Sequence, residues 1–254
     1  MSTDTPPLPA WYVISLRPRG QHGPMRRAAA RRGGGVIALS PWRLQALDDD
    51  GARAGLQAAL DASRVLFTSP MAVRAAAKLQ PLRPADGQQW FAVGAGTAAA
   101  LRRAGAGEVA APRRMDSEGL LALPGLQRLD GLKIGLVTAP GGRGTLAPAL
   151  QARGGEVRRA DVYRRISLAP STHALAALRG LSRPAAVAVS SGEGLRLVMD
   201  VLPADLAALV RSLPVVGASD RLLELAYALG FAHGHRAADA RPASLVEAAS
   251  SILD

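Results

Sequence analysis

The sequence predicts an α/β protein built from two doubly wound domains, each around a parallel sheet. Two observations carry that expectation. Short, continuously apolar runs alternate with helix-forming stretches along all 254 residues, the pattern of parallel strands buried under helices on both faces. The chain also repeats itself about 122 residues later. Val65-Leu66-Phe67-Thr68-Ser69 returns as Val187-Ala188-Val189-Ser190-Ser191, and Val93-Gly94-Ala95-Gly96-Thr97 as Val215-Val216-Gly217-Ala218-Ser219. Arg17-Pro18 returns as Ala139-Pro140, Arg32 to Val36 as Arg153 to Val157 (which carries Trp42 onto Tyr163), and Ser117 to Leu121 as Pro242 to Val246. The order is kept and the offset stays within 121 to 125. Solenoid units run ~20–50 residues, so this period is that of a small domain, and two copies with a cleft between them are expected.

Each element follows from local chemistry. Trp11 to Leu16 is an apolar run cut by Arg17-Pro18-Arg19-Gly20, a strand ending in a loop. Pro24 suits the first turn of a helix, where its missing N–H costs nothing, and glycines 33 to 35 close that helix near Arg32. Val36 to Leu39 is the next strand, and it leads through Ser40-Pro41 to Trp42. After Asp48-Asp49-Asp50 come a helix over about 52–62, a strand over 65–68 and a helix from Pro70. Strand 91–93 feeds a helix from Thr97 to about Arg103, ended by Gly105. Val109-Ala110 is a weak strand, and Ser117 is expected to cap a helix that Pro124 interrupts. Strand 132–137, a glycine loop, helix 145–153, strand 156–159 and an extended segment 161–168 follow. The remainder reads as helix 173–179, strand 185–189, helices 192–201 and 204–211, strand 214–216, helix 219–229, a short strand within 231–236 and helix 243–253.

Two flavodoxin-like units result, with extended linkers 36–44 and 157–168 in equivalent places after the first βα unit of each copy. If both linkers cross over, the copies exchange their opening βα units. One domain is then 1–38 plus 169–254, the other 45–160, and 39–44 and 161–168 are the linker strands. A plain tandem arrangement fits the same sequence.

Composition narrows the chemistry. Hydrophobic content is 48% with only 4% aromatic residues, so the cores are aliphatic. With no cysteine, disulfides, thiolate metal sites and thiol nucleophiles are excluded. No apolar run reaches the ~20 residues of a membrane helix. Residues 1–9 lack a basic segment and an apolar core, and read as a disordered tail of a cytoplasmic protein. The net charge of +11 suits either an anionic partner or arginines that merely solvate helix backs. Arg26, Arg27, Arg31 and Arg32 cluster without interleaved aromatics, which argues against a nucleic-acid surface. A monomer is expected.

Ligands of such sheets bind outside the carboxyl ends of the strands. The echoed loops 17–20, 68–71, 94–97, 138–144, 190–194 and 217–220 all fall there. Gly94-Ala95-Gly96-Thr97-Ala98-Ala99 fits G-x-G-x-x-A, either a dinucleotide fingerprint or a tight turn. Gly141-Gly142-Arg143-Gly144-Thr145 lacks the Lys-Ser/Thr of a P-loop, yet could cradle an anion on backbone N–H groups. His22, His173, His233 and His235 lack metal-ligand spacing, so no metal is expected. Ser69, Thr97, Ser191 and Ser219 read singly as helix caps and, by their recurrence, as a shared ligand-binding set. Tyr163, equivalent to Trp42, serves either packing or, beside Arg164 and Arg165, the ligand.

At these residues the chain resembles the uroporphyrinogen-III synthase family. The matching motifs are Arg17-Pro18, then Phe67-Thr68-Ser69-Pro70-Met71-Ala72-Val73, then Val93-Gly94-Ala95-Gly96-Thr97-Ala98 through Leu101. The loop Gly141 to Gly144, the run Leu150 to Val157, Val162-Tyr163-Arg164 and the segment Ser219 to Phe231 continue the series over nearly the whole chain. Met71 replaces the family's Asn after Thr-Ser-Pro, and Glu193 places an acid beside an expected anion. The resemblance implies two domains joined by a two-strand linker with that exchanged opening, and a cyclising lyase of tetrapyrrole and haem biosynthesis. It would close hydroxymethylbilane to uroporphyrinogen III with inversion of ring D and loss of water. It implies Tyr163 as general acid and Arg17, Ser69, Thr97, Gly141, Gly142, Arg143, Ser191 and Ser219 as substrate contacts. The partner is then a linear tetrapyrrole polycarboxylate, with no cofactor, nucleic acid or membrane. Two other readings stand beside it: a non-catalytic two-domain binding protein for a small anion, and a dinucleotide-dependent oxidoreductase.

Overall fold

A computed structural model describes residues 9–114, 116–141 and 144–253. Much of the tail expected at 1–9, and Gly142 and Arg143 of the glycine loop, lie outside the described residues. The chain divides into two units, residues 1–43 with 166–254 and residues 44–165.

The first unit is built on a five-stranded parallel sheet. Its strands are β1 (Trp11–Ser15), β2 (Gly34–Ala38), β9 (Ala185–Val189), β10 (Val215–Gly217) and β11 (Gly234–Arg236). They lie side by side in the order β2-β1-β9-β10-β11. Side chains alternate between two cores, as period-2 geometry requires. Ile14, Val187, Val189 and Val215 face α7 (Thr172–Arg179), α8 (Gly192–Val201), α9 (Ala204–Ser212) and α10 (Asp220–Ala228). Trp11, Val13, Ala186, Ala188 and Val216 face α1 (Gly23–Ala30) and α11 (Pro242–Leu253).

The second unit repeats this order from different parts of the chain. Its strands are β4 (Arg64–Phe67), β5 (Gln89–Ala92), β6 (Lys133–Thr138) and β7 (Glu156–Asp161). All are parallel, in the order β7-β6-β4-β5. A parallel bridge from Phe91 to Ala110 supplies a rudimentary fifth strand, the weak one expected at 109–110. Val65, Phe67 and Val137 pack under α2 (Asp50–Leu60), α3 (Pro70–Leu79) and α4 (Ala95–Arg103). Leu66, Ile134 and Leu136 pack under α5 (Ser117–Leu121), the 3-10 turn Pro124–Leu126 and α6 (Leu146–Gln151). Each such fully buried aliphatic or aromatic side chain stabilises the fold by roughly 1.5–3 kcal/mol. Gly135 of β6 is glycine because a Cβ there would overlap the Ala59 carbonyl of α2.

A ribbon of β3 (Trp42–Ala46) with β8 (Tyr163–Ser167) carries the chain between the units. Hydrogen bonds from Leu47 N–H to the Val162 carbonyl and from Leu168 N–H to the Pro41 carbonyl flank it, an antiparallel register.

Several local expectations are corrected. Asp116, not Ser117, caps α5, accepting from the Gly119 N–H at 2.8 Å. Helix α4 starts at Ala95 rather than Thr97, so Gly94 occupies the cap position that Ser219 holds before α10. The structural offset of this turn is therefore 125, not the 122 of the sequence echo, and Thr97 corresponds to the core residue Leu222.

Candidate active site

Read as a five-stranded unit, each sheet has the order 2-1-3-4-5, with β1, β2, β9, β10 and β11 in the first unit and β6, β7, β4, β5 and the Ala110 bridge in the second. In this order the crossovers leave in opposite directions from neighbouring strands 1 and 3, which opens a crevice at their carboxyl ends. In the first unit that point lies between β1 and β9, at Ser15-Leu16-Arg17 and Ser190-Ser191. In the second it lies between β6 and β4, at Thr138 and Thr68-Ser69.

The second unit's switch point is polar and partly open. Thr68 and Thr138 hydroxyls are hydrogen-bonded at 2.9 Å across the β4–β6 gap. Ser69 Oγ accepts from the Ala72 N–H at 3.0 Å, capping α3, and lies 3.2 Å from Tyr163 Oη. Tyr163 is buried in the core with Phe67 and Trp90. A pocket of about 120 Å³ is lined by Thr68, Thr138, Gly141, Gly144, Thr145 and Arg159, among others. Gly141 has φ +84°, a conformation that glycine adopts without strain. Arg159 is held by Asp161 at 2.9 Å and by the Ala139 carbonyl at 3.1 Å, so its charge is already matched. Met71 packs against the apolar core.

At the first unit's switch point Ser191 Oγ caps α8 through the Gly194 N–H at 3.2 Å. Glu193 sits in the first turn of that helix, where the helix dipole favours a carboxylate. Ser219, at the cap position of α10, makes no side-chain capping bond. Arg17 is half-buried, and burial lowers its pKa.

Sequence reasoning missed a buried histidine of this unit as a site residue. His22 is 3% exposed. Its Nδ1 lies 2.9 Å from Ser15 Oγ and its Nε2 2.8 Å from Ser40 Oγ. Burial, then the charges of Arg26 and Arg17, push its pKa down to about 4, so the ring is neutral near pH 7. No spacing rule could find the trio, because residues 15, 22 and 40 meet only through the β1–β2 pairing and the loop between β1 and α1. Thr68–Thr138 was hidden for the same reason, since the two lie 70 residues apart.

Other expectations resolve against position. Thr97 is 2% exposed and its amide is engaged by the Gly94 carbonyl, so it is a core residue of α4 rather than a turn donor. The G-x-G-x-x-A stretch follows β5, which is not at the reversal of strand order, and a Cβ on Gly96 would make only an ordinary contact with Pro70. A dinucleotide fingerprint calls for the opposite on both counts: a turn at the reversal, and a glycine that close approach demands. No group of three metal-ligating side chains exists among the described residues. No described helix is long and apolar enough to cross a membrane.

Fold and site together define a class: a paired flavodoxin-like α/β protein with polar turns gathered at the switch point of each sheet. The profile described as uroporphyrinogen-III synthase HemD matches residues 24–247. The chain belongs to the uroporphyrinogen-III synthase family. It is 34% identical over 116 residues to the Escherichia coli (strain K12) uroporphyrinogen-III synthase, a stretch covering 45% of this chain and 47% of that relative. The aligned part thus spans about half the length of that curated protein. A mutant uroporphyrinogen III synthase from the extreme thermophile Thermus thermophilus has the same fold, with a TM-score of 0.59 at 18% identity over 94% of this chain and 96% of that one. So does uroporphyrinogen-III synthetase from Helicobacter pylori 26695, with a TM-score of 0.60 at 11% identity over 95% and 99%.

Proposed function

We propose that this chain cyclises hydroxymethylbilane to uroporphyrinogen III, inverting ring D and releasing water. Family membership over residues 24–247, joined to polar switch points in both units, is the observation that supports this most. The reaction needs no redox step. The hydroxyl of the hydroxymethyl group departs with a proton as water, and the substituted carbon of ring D attacks the carbon it leaves. The resulting spiro centre then breaks its older bond, the freed bridge carbon bonds to the other, unsubstituted α-carbon of ring D, and that carbon loses its proton.

A protein accelerates this by holding the two ends of a flexible chain together and by favouring the spiro route over direct closure. The substrate's eight carboxylates require donors. Arg17, Ser191 and Ser219 of the first unit and Ser69, Gly141, Gly142 and Arg143 of the second are the proposed contacts. Thr97 is withdrawn from that set, because it lies in the core. Tyr163 is the proposed general acid for departure of the hydroxyl, with its phenol oriented by Ser69. No cofactor is required, and the chain is proposed to act as a monomer, since each switch point is made from its own strands.

The test is incubation with freshly prepared hydroxymethylbilane, oxidation of the products and separation of the uroporphyrin isomers. An excess of type III is expected. The type I isomer alone, at the uncatalysed rate, would leave only the anion-binding reading.

A further inference from the structure

We propose that the pocket at the tip of β1 binds a carboxylate group, with Arg19 and Arg26 supplying charge and Ser40 a hydrogen bond relayed through His22. This deepens the function proposed above and rests on it, since the carboxylate is one arm of the polyacid substrate. The pocket has a volume of about 200 Å³ and is lined by Arg19, His22, Arg26, Ser40, Leu168 and Ser171, among others, with no acidic residue in its wall. That is room for a carboxylate on a short alkyl arm.

The charge balance points the same way. In this unit Arg32, Arg179, Arg236 and Arg241 each lie within 4 Å of a carboxylate. Arg17, Arg19 and Arg26, like Arg27 and Arg31, have no such partner among the described residues; what sets them apart is place, since Arg19 and Arg26 line the pocket and Arg17 and Arg26 both act on one buried imidazole. Like charges gathered beside buried polar groups repel, and an anion from outside offsets that cost.

The trio also has a direction. A neutral imidazole has one N–H donor and one acceptor nitrogen. Let Ser15 donate to Nδ1. Then Nε2–H donates to Ser40 Oγ, and the Ser40 hydroxyl proton is free to point into the pocket. The other tautomer permits Ser40 to spend its proton on the ring and turn lone pairs toward the anion. A bound carboxylate therefore selects the Nε2–H form.

The ring nitrogens of His22 report this in the full-length chain labelled with 15N, assigned by loss of the signals in His22→Gln. Two probes are titrated separately: uroporphyrin, an octacarboxylate, and inorganic phosphate, which fits the same donors. Uroporphyrin is expected to drive His22 to the Nε2–H pattern. Its affinity is expected to fall about tenfold or more in Arg19→Gln/Arg26→Gln and, as a second variant, in Ser40→Ala. Both arginines are exposed, and the variants' melting temperatures check that they fold. An unmoved His22, or unchanged affinity in both variants, overturns the proposal. A response to phosphate at lower concentration than to uroporphyrin also overturns it, assigning the pocket to an inorganic oxyanion. Type III product without a His22 response sinks this site alone. A His22 response without type III product sinks the enzymatic reading alone.

Discussion

The phenol oxygen of Tyr163 lies 3.2 Å from the hydroxyl of Ser69, the residue that caps α3 at the switch point of the second unit. Either oxygen can be the donor. The pair joins the first residue of β8 to the turn after β4, so this phenol is held by a side chain with a structural task of its own.

Tyr163→Phe keeps the ring in the core and deletes only the hydroxyl. Stability is expected to change by no more than about 1 kcal/mol. The rate of type III formation is expected to fall by about 100-fold, the lower end of what a general acid contributes. Single-turnover kinetics and thermal melts measure the two. A loss of only a few fold would assign Tyr163 to packing.

The serines separate by their bonds. Ser69→Ala and Ser191→Ala each remove a cap and are expected to cost about 1 kcal/mol. Ser219→Ala removes no capping bond and should cost no more than a few tenths of that. Urea titrations rank the three. If Ser219→Ala nevertheless slows turnover as much as the other two do, its hydroxyl serves the substrate.

His22 makes stability depend on pH. Its folded pKa of about 4 lies below the ordinary 6.5. The unfolded chain therefore binds the proton more readily in this range, and the contribution is full above pH 6.5 and is lost as pH falls toward 4. The loss is on the order of 3 kcal/mol. Unfolding free energy of the wild type measured from about pH 7 down to about pH 4 should fall more steeply than that of His22→Gln. Parallel slopes would mean that the ring titrates normally.

Gly135→Ala tests the packing of α2 on β6. With the Ala59 carbonyl in the path of the new Cβ, the helix must move off the sheet. A loss of about 3 kcal/mol or more is expected from such overpacking of a buried strand, read as a lowered urea midpoint. An unchanged midpoint would place α2 farther from the strand.

Many of the arginines that produce the +11 charge are spoken for locally. Arg53 with Asp48, Arg114 with Asp116, Arg158 with Glu156 and Arg241 with Asp239 are surface or half-buried pairs between residues close in the chain. Such pairs contribute little to stability; Arg17, Arg19 and Arg26 differ from them by their place around His22 and its pocket. A count of charges in the sequence could not make that distinction.

The alternation of apolar runs with helix formers, together with the long echo, was enough to predict parallel sheets under helices, because strand burial and helix punctuation are local properties of composition. Ser69 and Ser191 were legible as caps for the same reason. What the tertiary structure alone decided was adjacency. The order of the strands sets which tips meet, and so brings Thr68 to Thr138, His22 to Ser15 and Ser40, and Tyr163 to Ser69. It also moved Thr97 from a turn into a core, since a helix that starts two residues earlier turns a different face to the sheet. Contacts between residues far apart in the chain cost loop-closure entropy that packing must offset, and neither leaves a periodic mark on the sequence.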